Sequence, residues 1–541
     1  MLSSDLVPRP RHRGAVVPSG WLALMATLAV GACRPVPSAD VSTSPIVTLG
    51  QESLEGSYED AGLRVASFRG IPYAAPPVGA LRWKAPEPAP ARVGLHSARS
   101  YAPACFQDNG NTEWYRRVAK PFGVDPARFT EPAVSEDCLY LNIWTPQLEA
   151  TGKLPVMVWI HGGSNENGWS YEPNYQGARL AAHGKVLVVS VAYRLNVFGF
   201  FGHPELSRSA APSNFGLLDQ IAALQWIRDH IEAFGGDASN VTIFGESAGG
   251  ADVGYLMSSP KARGLFRRAI AESGGYLLLS AGTLENAEEA GRKLARAFGA
   301  PADLVALRAK SSAEILEAAK SVLARGDYGP VIDGISLTES PAARFRHAGV
   351  QFDLLAGSNL NEDFMYVTDD AAALRKEIAV IPAAVRPTLS ALVAQAPDVR
   401  LARDRLWTLT NMECPPYLMA TRAAQSGHRG WIYRFSRTRP GPGGAALMVY
   451  HGAEIPYVFD THDSWLPTED ADRSLTSAMM GYWSNFARTG DPNGPGLPTW
   501  PAYDGPAPQI LDLGTNVTTL PAPDRELCER VATSLYPGWS R

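Results

Sequence analysis

One stretch decides the fold of this 541-residue chain: Val241-Thr242-Ile243-Phe244-Gly245-Glu246-Ser247-Ala248-Gly249. An apolar strand that runs into G-x-S-x-G and then into a helix is typical of a nucleophile elbow, a sharp turn that presents the serine hydroxyl. The helix that follows aims its free N–H groups and the positive end of its dipole at the position of a developing oxyanion. The stretch therefore predicts that Ser247 is a nucleophile.

Apolar runs on both sides of this stretch alternate with helical segments. Leu154–Ile160 and residues 186–191 are continuously apolar, as expected for parallel strands buried on both faces. From Asn214 to Phe234 apolar residues recur at helical spacing, and Gly235-Gly236 would end that helix. Strand-like runs return at residues 352–356, 431–435 and 509–513. The alternation predicts an α/β fold with a largely parallel sheet.

Two further segments complete the predicted architecture. Ile46–Leu49 and residues 63–68 alternate polar with apolar positions, which indicates an antiparallel edge of the sheet. Residues 284–325 are rich in Ala, Leu, Glu, Lys and Arg at helical spacing, which indicates a helical excursion over the sheet. Insertions of this kind commonly shape substrate pockets.

The N-terminal residues have the pattern of an export signal. A basic start precedes the apolar residues 21–30, which are too few to span a bilayer as a permanent helix. The small residues before Cys33 resemble a bacterial lipoprotein box, which implies a multiply acylated Cys33 that anchors the chain to a membrane. Cleavage near Ala39 is the alternative. We predict a signal peptide over residues 1–32, a tether over 33–45 and one catalytic domain over 46–541, in an exported protein of the cell envelope that faces the periplasm or the exterior.

Composition excludes several classes of protein. The net charge is −5 and Lys and Arg do not cluster, which argues against nucleic-acid binding. The chain has no C-x-x-C and no H-E-x-x-H, so neither a zinc site nor metalloprotease chemistry is predicted. Of the five cysteines, a lipidated Cys33 would leave four, which allow three pairings.

A nucleophilic serine needs a base that takes its proton and an acid that orients the base. After an elbow the expected chain order is serine, acid, histidine. Glu362 and its neighbour Asp363 follow the strand-like run 352–356 and are the candidate acids. This order disfavours His347 and leaves three candidate bases, His428, His451 and His462. His451 is mildly favoured, because it precedes Gly452 in a break between predicted elements.

An oxyanion hole needs backbone N–H donors from two places. One is the residue after the nucleophile, Ala248. The other is the loop after an early strand, and Leu154–Ile160 is followed by His161-Gly162-Gly163-Ser164, which is close to the HGGG type.

Two long motifs make the chain similar to the type-B carboxylesterases, the family of cholinesterases, liver carboxylesterases and bacterial para-nitrobenzyl esterases. They are residues 136–146 and 234–249, supported by 68–74, 76–79 and 482–493. The resemblance covers residues 45–535. It implies an α/β-hydrolase fold with helical insertions over the active site. It also implies a serine hydrolase that cleaves small carboxylic esters through an acyl-enzyme, without a cofactor.

The resemblance assigns roles to single positions. Ser247 matches the nucleophile, Glu362 rather than Asp363 the acid, and His451 the base. The N–H donors of the oxyanion hole map onto Gly163, Ser164 and Ala248. The family disulfides map onto Cys105–Cys138 and Cys414–Cys528. Arg82 and Glu136 match a family ion pair, and Ser273 matches a serine that supports the acid and the base.

The chain departs from the family pattern in two places. Ser164 stands where many relatives have Gly or Ala, so its side chain would narrow the alcohol side of the site. Residues 106–134, which include Trp114 and Tyr115, match no family motif, although this region often lines the entrance to the site in relatives. Two other functions stay open: an amidase or peptidase of the same fold, and a non-catalytic binding protein. Binding proteins of this fold lack one or more triad residues, whereas all three are present here.

Overall fold

A computed structural model describes residues 44–59, 62–148, 152–209, 212–299, 303–324, 328–505, 507–522, 525–536 and 539. The described residues from Ser44 onward form one compact unit. No helix in these ranges combines the length and the apolar character that crossing a membrane requires. The predicted signal peptide and the predicted lipidation site Cys33 lie outside the described residues and stay predictions.

The strand that leads to Ser247, Gly236–Glu246, lies inside a large mixed sheet. It pairs in parallel with Leu154–Ile160 on one side and with Arg268–Glu272 on the other. Within the described ranges the sheet has eleven strands, in the spatial order Val517–Pro521, Gln509–Leu513, Gly430–Phe435, Asp353–Asn359, Arg268–Glu272, Gly236–Glu246, Leu154–Ile160, Leu187–Val191, Tyr140–Thr145, Ala66–Pro72 and Ser57–Tyr58. The predicted parallel strands are confirmed, and antiparallel pairs form both edges.

The central strands are apolar throughout because both faces of the sheet are covered. In Leu154–Ile160, alternate side chains point to opposite faces. Val156, Val158 and Ile160 belong to one buried hydrophobic cluster. Met157 and Trp159 belong to a second cluster on the other face. Burial on both faces is the physical reason why these strands read as unbroken apolar runs.

Helices surround this sheet and connect its parallel strands. The described α-helices are Gly110–Ala119, Ala178–Gly184, Asn196–Gly199, Pro204–Arg208, Phe215–His230, Ala248–Ser258, Leu284–Ala297, Leu304–Arg308, Ser312–Val322, Pro341–Ala348, Ala371–Val380, Arg386–Val393, Val399–Trp407, Cys414–Gln425, Gly441–Leu447, Ile455–Phe459, Asp470–Thr489 and Arg525–Leu535. The helix predicted between residues 214 and 234 is Phe215–His230, extended by a 3-10 turn and ended by Gly235 at φ +86°. The predicted excursion is also helical, since three of these helices lie between residues 284 and 322.

The predicted antiparallel edge is only half correct. Ala66–Pro72 joins the large sheet, where it pairs with Tyr140–Thr145. Ile46–Leu49 instead belongs to a separate three-stranded sheet with Glu52–Glu55 and Gly94–Ser97. A turn at Gly50 and Gln51 folds Ile46–Leu49 back onto the next strand, and so short a connection favours a local hairpin over pairing with the large sheet.

Two disulfides and one ion pair tie distant parts of the chain together. Cys105 is bonded to Cys138 and Cys414 to Cys528, as the resemblance implied. In the chain-entropy model, closing loops of these lengths stabilises the fold by about 4 and about 5 kcal/mol. The Arg82 guanidinium donates to both carboxylate oxygens of Glu136, and its Nη1 donates to the Lys310 carbonyl. Arg82 thereby attaches the helical excursion to the N-terminal part of the domain.

Candidate active site

Ser247 sits on a strained turn between its strand and the helix Ala248–Ser258. Its backbone has φ +57° and ψ −124°, a conformation that costs a non-glycine residue about 1–3 kcal/mol. The neighbouring glycines make the turn possible, because a Cβ at Gly245 or Gly249 would collide with the carbonyl oxygen of Ile160. The Ser247 N–H donates to the Glu272 carbonyl at 2.9 Å, which ties the turn to the next strand. The elbow predicted from the sequence is therefore present.

Ser247, His451 and Glu362 form one hydrogen-bonded line. His451 Nε2 lies 2.8 Å from Ser247 Oγ, and His451 Nδ1 lies 2.6 Å from Glu362 Oε2. An ionised carboxylate can only accept, so Nδ1 carries the hydrogen and Nε2 keeps a lone pair toward the serine hydroxyl. The three predicted residues are 204 and 89 positions apart in sequence and meet in this geometry.

The second oxygen of Glu362 is also fully used. Oε1 accepts from Ser273 Oγ and from the Asn359 N–H, both at 2.6 Å. The Glu362 N–H in turn donates to Thr408 Oγ1 at 3.2 Å. The carboxylate is wholly buried, and these donors fix it at the end of the strand Asp353–Asn359. The contact between Ser273 and the acid agrees with what the resemblance implied.

The other candidates lie elsewhere. Asp363 is only partly buried, and its N–H donates to the Asp404 carboxylate. His462 is buried between two threonine hydroxyls. His347 is exposed near Glu339, and His428 is partly exposed near Asp353. Among the described residues, only His451 contacts both a serine hydroxyl and a buried carboxylate.

The candidate oxyanion donors flank Ser247. Gly162 packs so closely on the elbow that a Cβ there would come 2.7 Å from the Glu246 carbonyl oxygen. Gly163 and Ser164 both have positive φ, +103° and +61°, so the backbone turns sharply at these two residues. Within the described part of the chain, the N–H groups of Gly163, Ser164 and Ala248 meet no protein acceptor. Three free donors beside a nucleophile are the arrangement that stabilises a tetrahedral oxyanion.

Two buried carboxylates near His451 were not predicted as site residues. Glu246 Oε1 lies 3.3 Å from His451 Nε2, and Glu454 contacts Ser273 and Asn359. Burial raises the pKa of Glu246 well above its usual value and raises that of Glu454 to about 7. Burial alone lowers the pKa of His451, but the carboxylates of Glu246 and Glu362 outweigh burial and raise it. The position of Glu246 directly before the nucleophile was the one signal available in the sequence.

Residues 106–134, the wall segment, border the site on the side of His451. Its helix Gly110–Ala119 places the Trp114 ring against Gly452, next to His451, and the Trp114 indole N–H donates to Tyr366 Oη at 3.0 Å. From the same helix, Asn111 and Tyr115 donate to the buried carboxylate of Glu172, at 2.7 and 2.9 Å. Ser164 is exposed.

The hydrogen-bonded side chains of Ser247, His451 and Glu362 lie where the parallel strands end. A serine hydroxyl next to an imidazole and a buried carboxylate is an arrangement that can activate a nucleophile. No group of three or more His, Cys, Asp or Glu side chains within the described ranges is placed to hold a metal ion.

Known proteins resemble this chain along nearly its whole length. A sequence model described as the carboxylesterase family matches residues 43–381 and 394–529. Para-nitrobenzyl esterase of Bacillus subtilis (strain 168) is 33% identical over 511 residues, which cover 91% of this chain and 99% of that protein. Liver carboxylesterase 1 of Oryctolagus cuniculus is 34% identical over 541 residues, which cover 90% of this chain and 92% of that protein.

Solved structures agree with these sequence relatives. A thermophilic pNB esterase superposes with a TM-score of 0.77 at 31% identity, covering 90% of this chain and 100% of that one. A carboxylesterase of Geobacillus stearothermophilus superposes with a TM-score of 0.75 at 31% identity, covering 90% and 99%. The predicted α/β-hydrolase fold is thereby confirmed. The chain belongs to the carboxylesterase family and is a carboxylic ester hydrolase.

Proposed function

We propose that the chain cleaves small carboxylic esters through an acyl-enzyme formed on Ser247, with His451 as the base and Glu362 as the acid. The observation that carries the proposal is the unbroken line of hydrogen bonds at 2.8 and 2.6 Å from Ser247 Oγ through the imidazole to the Glu362 carboxylate. A serine hydroxyl is a weak nucleophile until a base of this kind takes its proton.

In the first half of the reaction, Ser247 Oγ attacks the ester carbonyl carbon while His451 Nε2 takes the hydroxyl proton. The carbonyl oxygen becomes an oxyanion, which accepts hydrogen bonds from the N–H groups of Gly163, Ser164 and Ala248. His451 then gives its proton to the leaving alkoxide, and the carbon–oxygen bond of the ester breaks. The products of this half are the free alcohol and an ester of Ser247.

In the second half, water replaces the alcohol. His451 Nε2 takes a proton from the water as it attacks the acyl carbon, and the same N–H groups stabilise the second oxyanion. The proton then returns to Ser247 Oγ as the acyl group leaves as a carboxylic acid. Glu362 stays ionised throughout and stabilises the imidazolium that forms twice in each cycle.

Covalent labelling tests the proposed nucleophile. A p-nitrophenyl alkylphosphonate is expected to release one equivalent of p-nitrophenolate and to leave a phosphonyl group on Ser247, because attack at phosphorus mimics the first step. Mass spectrometry of proteolytic fragments locates the group, and an excess of p-nitrophenyl acetate should slow its attachment. Label on another residue, or full hydrolysis by completely labelled protein, would contradict the proposal.

The same preparation separates an esterase from an amidase. Rates on p-nitrophenyl acetate and on the matched p-nitroanilide differ only in the bond that is cleaved. The ester is expected to react faster, and the profile from acetate to long acyl chains measures the size of the acyl pocket. Faster cleavage of the anilide would favour the amidase alternative.

Glu246→Gln is expected to move the acidic limb of the kcat/KM profile to lower pH, by about one unit. The base works only as the neutral imidazole, so activity falls as pH decreases through the pKa of His451. The carboxylate 3.3 Å from Nε2 stabilises the imidazolium and raises that pKa. Burial raises the pKa of the Glu246 carboxyl, but the positive charge of His451 lowers it, so protonation of the imidazole favours the charged carboxylate. Glutamine keeps the size of the side chain and removes this charge.

Glu272→Gln is the matched control for this measurement. Glu272 is also a buried carboxylate, and its Oε1 accepts from Trp483 Nε1 at 2.8 Å. Unlike Glu246, it makes no ion-pair contact with the His451 imidazole within the described residues. Its substitution should leave the acidic limb in place. A limb that stays in place in Glu246→Gln, or that moves to higher pH, would show that Glu246 does not set the pKa of His451.

A further inference from the structure

The two halves of the candidate oxyanion hole come from different parts of the chain. Gly163 and Ser164 belong to the loop after the strand Leu154–Ile160, whereas Ala248 begins the helix Ala248–Ser258. An oxyanion is stabilised only when donors from both parts point at one atom. The relative position of loop and helix is therefore part of the catalytic geometry.

The loop half contains an unusual turn. Ser164 and Asn165 are consecutive non-glycine residues with φ of +61° and +57°. Residues other than glycine adopt positive φ as single residues, and they need surrounding contacts that hold the backbone in this conformation. Asn tolerates positive φ better than Ser does. In this turn the contacts that hold the backbone are made by Asn165.

Asn165 is held through its side chain, which is buried. Its Nδ2 donates to Asp252 Oδ1 at 3.1 Å, and its Oδ1 lies 3.2 Å from the Tyr193 hydroxyl. Tyr193 also donates to the His161 carbonyl at 2.7 Å, so the same hydroxyl contacts both ends of the loop. The Asn165 carbonyl accepts from the Asn196 N–H at 2.6 Å.

Asp252 is five residues after Ser247, on the helix that begins with Ala248. It is fully buried, and the hydrogen bonds to its two oxygens come from neutral amides: Asn165 on Oδ1 and Gln220 Nε2 on Oδ2, at 2.5 Å. Burial raises its pKa to about 7, while the hydrogen bonds from Gln220 and Asn165 act in the opposite direction. Placing a carboxyl here is costly, and no part of the proposed reaction touches it.

We propose that Asp252 is a positioning residue. By accepting a hydrogen bond from Asn165, it fixes the loop that carries Gly163 and Ser164 relative to the helix that begins with Ala248. The inference rests on the proposed role of Ser247 and adds a determinant of its rate. Asp252 does not touch substrate. Its carboxylate acts through Asn165 on the N–H groups of Gly163 and Ser164.

The test is Asp252→Ala, assayed on p-nitrophenyl acetate with active sites titrated by the burst of p-nitrophenol. Alanine leaves the Asn165 amide without its acceptor and frees the turn. We expect kcat per titrated site to fall about 10- to 100-fold, with KM changed less than about twofold, because donors to an oxyanion act mainly in the transition state. Affinity for a trifluoromethyl ketone, which forms a tetrahedral adduct with the serine, should fall by the same factor.

The conservative variant should rescue this loss. In Asp252→Asn the introduced carbonyl still accepts from Asn165, and the Gln220 amide can rotate to accept from the introduced NH₂. We expect kcat per titrated site within about threefold of the wild type. Asp472→Asn is the control for a merely structural effect, because Asp472 is an equally buried carboxyl bonded to Arg437 and Tyr457. It should lower the melting temperature and leave kcat per titrated site unchanged.

A second pair of variants covers the case in which Asp252→Ala does not fold. In Asn165→Asp a second carboxylate lies opposite that of Asp252, where the amide donor was. This variant should reproduce the loss of kcat. Combining it with Asp252→Asn exchanges amide and carboxyl and should restore most of the rate. The inference is wrong if Asp252→Ala or Asn165→Asp keeps kcat per titrated site within about twofold of the wild type, or if the change lies in KM alone.

Failure of this inference can be told from failure of the proposed function. If Ser247→Ala abolishes turnover while Asp252→Ala keeps its kcat per site, only the role of Asp252 is wrong. Turnover that survives in Ser247→Ala would overturn both.

Discussion

Ser247→Ala is expected to lower kcat for p-nitrophenyl acetate by about 10⁵- to 10⁶-fold. Without Oγ no acyl-enzyme can form, and His451 has no hydroxyl to deprotonate. What activity remains would come from the oxyanion donors and from substrate binding, which act on direct attack by water. Stopped assays at high enzyme concentration, with the background rate subtracted, measure a loss of this size.

Ser258→Ala is the matched control. Ser258 is a buried serine at the other end of the same helix, and its Oγ donates to the Gly254 carbonyl at 2.8 Å. The substitution removes the same atom, and the protein should keep its rate. A Ser247→Ala protein that retained more than about one hundredth of the wild-type kcat would contradict the mechanism, since a lost nucleophile costs far more.

Glu362→Gln is expected to lower kcat by about 10³- to 10⁴-fold while KM changes little. Both carboxylate oxygens are occupied by donors, one by His451 Nδ1 and the other by Ser273 and Asn359. An amide nitrogen cannot accept, so in either orientation of the new side chain one set of donors faces NH₂. If the NH₂ faces the imidazole, it stabilises the tautomer with hydrogen on Nε2, which cannot take the proton of Ser247.

Asp363→Asn provides the comparison at the neighbouring position. The Asp363 carboxyl has no recorded hydrogen bond to the imidazole among the described residues, although burial raises its pKa to about 7. We expect kcat within about threefold of the wild type, as for substitutions away from the reacting atoms. Equal losses in the two variants would show that the loop, rather than the Glu362 carboxylate, is what the substitutions disturb.

The bounds of a strand can be predicted from this sequence where apolar residues fill the strand to its end. Leu154–Ile160 has the predicted bounds because its apolar run spans the whole strand. Gln509–Leu513 also has the predicted bounds, although Gln509 and Asp512 interrupt its apolar residues. Asp353–Asn359 continues past the predicted run 352–356. Its last residues are small or polar yet still pair with Gly430–Phe435, since they lie at the edge of the sheet where the site forms. Polar strand ends next to a site therefore escape a search for hydrophobic patterns.

Residue patterns reduce the number of candidate bases and acids for Ser247, but they do not identify which histidine contacts it and which carboxylate contacts that histidine. Spacing leaves His428, His451 and His462 open, because contacts across 204 residues depend on how the loops after the strands fold. Glu362 and Asp363 are neighbours that point to different surroundings, one wholly buried and the other partly exposed. Only the resemblance to a family separates such pairs in advance.

Sequence patterns do not assign two features of this region, the buried carboxyl of Glu246 and the helix Gly110–Ala119. Acids are expected at the surface, so a buried carboxylate such as Glu246 is assigned to a site only after the fold is known. Asn109, the N-cap residue of the helix Gly110–Ala119, makes no side-chain capping hydrogen bond. Tertiary contacts, including those of Tyr115 with Glu172, stabilise the helix instead, and local sequence does not reveal them.

The bond between Cys105 and Cys138 brings the two ends of the wall segment within 4.9 Å, measured between Cα atoms. Everything between these cysteines, Trp114 included, is a closed loop, and the disulfide holds its two ends together whatever residues lie between them. Such a loop can change in length and sequence while the nucleophile, the base and the acid keep their places. Substitutions and insertions in this segment can thus change which substrates are accepted, while the residues that cleave the ester stay the same.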